Sequence, residues 1–194
     1  MGAKWDNVVK RLEKNAEYVT AFAKLYDDGI TKDNATDAIA EYEKSLITPS
    51  RFDKFLLGDE TAITDAEKKG YATFKEAGCT ACHTGIIAGG TMFQKMGLVK
   101  DYFADRGTPV TEADLGRFNV TKNAADKHFF KVPTLRNVEL TSPYLHDGSR
   151  ATLEETVKVM GTHQLGKDLS DAQVNSIVTF LKSLTGTLPA HAKP

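Results

Sequence analysis

Apolar residues recur at three- and four-residue intervals along much of this chain, the spacing of helices with one buried face. Trp5, Val8, Val9, Leu12, Val19, Phe22 and Tyr26 follow it, with Asn15 breaking the run and capping a second helix. Thr31 opens a third, with Ala35, Ala38, Ile39 and Tyr42 on one face, and Thr48-Pro49 closes it. Thr64-x-x-Glu67 is a capping box for a helix reaching about Ala77, and Gly78 fits its C-terminal cap. Thr152-x-x-Glu155 starts a short helix with Leu153, Val157 and Met160 inward, ended by Gly161. Ser170-x-x-Gln173 starts the last, with Val174, Ile177, Val178, Leu181 and Leu184 inward, ended by Gly186. No stretch alternates with a period of two, so the pattern predicts an all-α protein without strands.

A polar link at Gly58-Asp59 divides the chain into an N-terminal helical segment, 1–58, and a second domain, 59–194. The first carries its own apolar faces. In the second, the stretch from Thr84 to about Asn137 is irregular, and a loop that long in a compact domain needs something to wrap around. The 194 residues carry 25 Lys and Arg against 26 Asp and Glu, a net charge of −1, which offers no bias toward nucleic acid or an anionic membrane. No apolar run is long enough to span a bilayer. Met1 to Trp5 leads directly into a helical pattern with no signal peptide.

Both cysteines of the chain lie in Cys79-Thr80-Ala81-Cys82-His83, the attachment pattern of a c-type haem. Each thiol would add to a porphyrin vinyl group, and His83 would be the proximal iron ligand. A zinc half-site would need a second pair of ligands, and no cysteine remains to supply one. A redox dithiol would need a βαβ setting that the flanks lack. The pattern thus predicts one covalent haem c. Covalent attachment takes place outside the cytoplasm, so a periplasmic location is expected, and the start of the chain reads as a processed, trimmed or engineered end.

The sixth ligand is open among Met92, Met96, Met160 and the four other histidines. Met160 has the best case, because it ends a helix on its inward face and Gly161 lets the chain turn away. A thioether is a soft, neutral ligand that raises the reduction potential. His146 is an alternative ligand, a second-layer donor or a plain turn residue. Arg136 and Lys131, which flank Pro133, are candidates to pair with haem propionates or are simply solvated charges. Phe93, Phe129 and Phe130 are candidates to pack on the porphyrin.

Several stretches together resemble the bacterial di-haem cytochrome c peroxidases, the family that includes the MauG-type enzymes. They are Ile47-Thr48-Pro49 through Asp53, Gly78 to His83, Phe93 to Gly97, Phe130 to Asn137, and Leu140 to Gly148 running on to Glu155. The resemblance runs from Trp5 to Gly186 and implies a cytochrome c-like haem domain behind the N-terminal helical segment. It further implies a C-terminal, high-potential His/Met haem that receives electrons from a small donor, a monohaem cytochrome c or cupredoxin. A peroxide-reducing haem would sit in an N-terminal domain absent here. Met160, fourteen residues after His146, matches the peroxidase branch, whereas MauG-type proteins place Tyr there. The family's calcium ion would take backbone ligands at Thr141 and Pro143. Gly70 and Phe74 resemble the positions where cytochrome c folds cross their first and last helices, with Phe180 and Leu181 opposite. The surface left by the absent domain favours a homodimer. The expected function is electron transfer in the service of peroxide reduction, the alternatives being a free-standing monohaem carrier and a complete small peroxidase.

Overall fold

The computed structural model describes residues 2–192; Met1, Lys193 and Pro194, at the outer ends of the two predicted segments, lie outside the described residues. The protein is mostly helical and includes one small two-stranded sheet. It divides into two compact units, Met1–Thr48 with Leu188–Pro194, and Pro49–Thr187.

The first unit holds α1 (Trp5–Leu12), α2 (Ala16–Leu25) and α3 (Lys32–Ser45). Asn15 Oδ1 accepts from the Glu17 and Tyr18 amides, and Thr31 Oγ1 from the Asn34 amide, so both predicted caps form. Ala35 is the only buried apolar residue of this unit among the described residues, while Tyr18, Val19, Leu25, Ile39 and Tyr42 stay exposed. The apolar faces read from the sequence are present but enclose no core.

The second unit starts with α4 (Arg51–Leu56), earlier than the predicted boundary at Gly58. Ser50 and Asp53 form a capping box at its start, and Phe52 packs on Tyr71 and Phe180 with ring centroids 4.9 and 5.0 Å apart. Its anchor is therefore the core that follows. That core forms where α5 (Asp65–Ala77) crosses α9 (Asp171–Lys182). A Cβ on Gly70 would lie 2.1 Å from the Ser176 carbonyl oxygen and 2.8 Å from Phe180 Cβ, so only glycine admits this approach. Phe180 is thus the opposing contact, as expected. The boxes at Thr64, Thr152 and Ser170 all form, and Gly78 caps α5 in the left-handed conformation at φ +99°.

The expectation of an all-α chain without strands fails between α5 and α9. β1 (Phe93–Lys95) pairs antiparallel with β2 (Phe129–Lys131), Gln94 opposite Phe130. The stretch predicted to be irregular is mostly loop and turn, interrupted by two short helices, α6 (Tyr102–Arg106) and α7 (Phe118–Thr121). Elements of three to five residues are too short to display a periodicity. A second correction concerns Gly161. The chain does not turn away there: α8 (Leu153–Val159) runs into a π-turn, Met160–Gln164. Gly161 is buried, and a Cβ there would stand 3.0 Å from Leu169 and from the Lys167 carbonyl, so its role is close packing.

Candidate haem site

A cavity of about 510 Å³ opens within the second unit, inside the ~300–1,000 Å³ range of cofactor sites. Its wall is built from opposite sides of the fold. The left-handed cap at Gly78 swings the chain off α5, so that Cys79, Cys82 and His83 line one part. Phe130, Lys131, Val132, Pro133 and Leu135 from β2 and its continuation line another. Met160 and Gln164 from the π-turn, with Val157 of α8 and Met96 after β1, supply the remainder. A π-turn is rare and tends to occur at functional sites.

His83 Nδ1 lies 3.3 Å from the Ala88 carbonyl oxygen, which can only accept. Nδ1 therefore carries the proton and Nε2 keeps its lone pair, the form that ligates a metal. Burial also holds the His83 imidazole below its usual basicity, which favours the neutral ring. Close backbone contacts fix the supporting loop: a Cβ on Gly89 would fall 2.1 Å from the Pro133 carbonyl oxygen. Thr134 Oγ1 donates to the Ile87 carbonyl at 2.5 Å and Arg136 Nε to that of Ile86 at 2.9 Å. Cys79 and Cys82 are not joined in a disulfide, and burial pushes the Cys79 thiol up to about 11.

The histidines other than His83 each have a hydrogen-bond partner at one ring nitrogen or both. His128 Nδ1 donates to the Asp114 carbonyl at 2.8 Å, and His163 lies between the Val159 carbonyl at 3.1 Å and Asp105 at 3.2 Å. His191 is paired with Ser45 in the first unit. His146 lines the cavity, but its Nε2 is 2.6 Å from Asp114 Oδ1 and its ring stacks on Phe130 at 4.5 Å. Asp114 is 1% exposed and also takes both terminal nitrogens of Arg106, at 2.8 and 2.7 Å. The guanidinium keeps this carboxyl well below the usual carboxylate range. Nothing in the sequence pointed to this network, because its members are brought together by the fold from separate segments. Of the methionines, Met160 and Met96 line the cavity and Met92 does not.

Lys131, Pro133, Thr141 and Pro143 reach the cavity wall, whereas Phe93 and Arg136 do not. The Phe93 ring instead lies under the Arg117 guanidinium, 4.8 Å away. Arg136 is committed to Asp53, donating from NH1 to Oδ2 at 2.8 Å and from NH2 to Oδ1, so it is not a free partner for a propionate. That bond holds the Asp53 carboxyl down to about 2. Because its folded value is below the unfolded one, the stabilisation is full above pH ~4 and most of it is lost as the pH falls toward ~2. Urea unfolding should show the native protein losing roughly 2 kcal/mol more than Asp53→Asn between pH 5 and pH 2. Parallel losses in the two proteins would show that this pair carries no such linkage.

Two thiols and a neutral imidazole on one part of an apolar cavity, and thioethers on another, fit a c-type haem. Residues 1–61 match the protein family described as di-haem cytochrome c peroxidase. Over 184 residues the chain is 50% identical to the cytochrome c peroxidase Ccp of Escherichia coli (strain K12), covering 94% of this chain and 39% of that protein. It is 47% identical over 180 residues to the cytochrome c551 peroxidase of Nitrosomonas europaea, covering 92% of this chain and 52% of that one. The chain therefore spans about half or less of the length of these curated relatives. Among solved structures, a MauG-like protein associated with microbial copper homeostasis aligns with TM-score 0.78 at 27% identity, over 95% of this chain and 64% of that one.

Proposed function

We propose that this chain, which belongs to the bacterial di-haem cytochrome c peroxidase family, transfers single electrons through one covalently held haem c in a cytochrome c-like domain. Haem c is the cofactor that the family implies, and bound here it supplies a one-electron couple. Cys79 and Cys82 would tether it, and His83 Nε2 and the Met160 thioether would hold the iron. Lys131, an exposed ammonium on the wall, would pair with a propionate, and Phe130, Pro133 and the aliphatic lining would keep water from the ring. The observation that carries this reading is the make-up of the wall: it contains no carboxylate among the described residues. Cleaving an O–O bond calls for a positioned acid or base. His146 is the wall histidine nearest that role, and with Nε2 bonded to Asp114 only its Nδ1 remains for it.

The relatives' greater length supports a partner haem domain as the site of peroxide reduction, with a small monohaem cytochrome c or cupredoxin as electron donor. No helix among the described residues is long and apolar enough to cross a membrane, and the chemistry of covalent haem attachment supports a periplasmic setting. Calcium at Thr141 and Pro143 and a homodimer are secondary proposals. Calcium titration and sedimentation of the holoprotein would test them.

Met160→Ala is expected to abolish the thioether-to-iron charge-transfer band and convert the iron from low to high spin in EPR. The native chain is expected to exchange electrons with a small cytochrome but to turn over peroxide poorly. A band that survives in Met160→Ala and vanishes in Met96→Ala would reassign the ligand. Sustained, saturable peroxidase turnover by the native chain alone would replace this reading with that of a complete small peroxidase.

A further inference from the structure

We propose that Gln164 is a positioning residue for the axial thioether: its carboxamide locks the π-turn carrying Met160 to the chain on either side of Met96, so that Met160 and not Met96 serves the iron. The inference rests on the reading of Met160 as ligand. Met96 and Met160 line the same cavity and share one apolar cluster with Tyr102, Phe103 and Val159. Their side chains are chemically identical, so the choice between them must come from how the backbone is held.

The Gln164 carboxamide has all the partners needed for that hold. Its Oε1 accepts from the Gly97 amide at 2.5 Å and the Leu98 amide at 3.1 Å, and its Nε2 donates to the Lys95 carbonyl at 3.0 Å. These three backbone groups bracket Met96. The His163 carbonyl extends the seam, accepting from Val99 at 3.0 Å and Lys100 at 3.2 Å. Gly97 sits at φ +79°, and a Cβ there would meet the Tyr102 nitrogen at 2.7 Å, so the bracketed loop has little room to shift. On the far side of the turn Gly161 is pressed on Leu169. A π-turn departs from the favoured helical geometry and persists when its surroundings fix it. Gln164 supplies that fixing with a polar group on the wall of an apolar cavity, where unbonded amide atoms would carry a desolvation penalty.

The test uses the haem-loaded protein and the variants Gln164→Leu and Gln164→Glu. The first removes all three bonds; the second keeps an acceptor for the two amides and loses the donor to Lys95. Exogenous imidazole is titrated against the ferric protein by absorption, and hydrogen exchange is followed at the Gly97 and Leu98 amides. Gln164→Leu is expected to bind imidazole about tenfold more tightly, the scale on which residues behind a metal ligand act. Gln164→Glu should fall between it and the native protein, and exchange at both amides should rise in the leucine variant. If Gln164→Leu does not fold, the intermediate shift in Gln164→Glu decides. A lowered unfolding midpoint with unchanged imidazole affinity would mean Gln164 only stabilises the fold, and would overturn the proposal. Met160→Ala separates the two levels. A charge-transfer band that ignores Met160 removes the ligand reading and this inference together, whereas one that needs Met160 while imidazole affinity ignores Gln164 removes this inference alone.

Discussion

Protein carrying Cys79→Ala and Cys82→Ala, made without haem, is expected to lose cooperative unfolding of the region around the cavity. An empty apolar cavity of about 510 Å³ could not persist. The walls would instead collapse or hydrate, and β2 with its continuation to Leu135 would lose the surface it packs against. Haem burial offers that lining apolar contact at roughly 25 cal/mol per Å². Circular dichroism should retain part of the helical signal. Its source should be the α5–α9 pair, which has a core of its own, and not α1–α3, which bury only Ala35. Isolated helices shorter than ~12–15 residues are marginal in water. Native-like exchange protection from Val132 to Met160 in the haem-free variant would show that the cavity walls fold without their cofactor.

Gly70→Ala should lower stability by about 1–3 kcal/mol, although alanine is the better helix former by about 1 kcal/mol. The added Cβ would meet the Ser176 carbonyl oxygen at 2.1 Å, a backbone atom that cannot swing aside. Relief requires α5 and α9 to separate, and that opens the packing of Phe180 on Phe52, Tyr71 and Phe74, whose ring centroids are 5.0 to 5.2 Å away. Because α5 leads into Cys79, the same movement should shift the proximal side of the site. Denaturant unfolding of the holoprotein measures the loss; a midpoint equal to or above the native one would show that the crossing has slack.

The sequence by itself determined the features whose cause is local. The caps at Asn15, Thr31, Thr64, Thr152 and Ser170 form as read, because a capping side chain bonds amides two or three residues away. The Cys79-to-His83 motif was legible for the same reason, as its three groups are spaced for one porphyrin within a single turn of chain. Met160 was legible through its helical face, although the π-turn beneath it was not. Only the tertiary structure decided the rest. β1 and β2 pair across 30-odd residues and are three residues long each, so neither carries a pattern of its own. Arg136 read as a free cation until the fold brought Asp53 to it, and no feature of the sequence paired His146 with Asp114. Phe93 read as a porphyrin contact, but the β1 pairing leaves it beside Arg117 and off the cavity wall. Which polar group meets which is set by long-range packing, and residue type alone does not encode that distance.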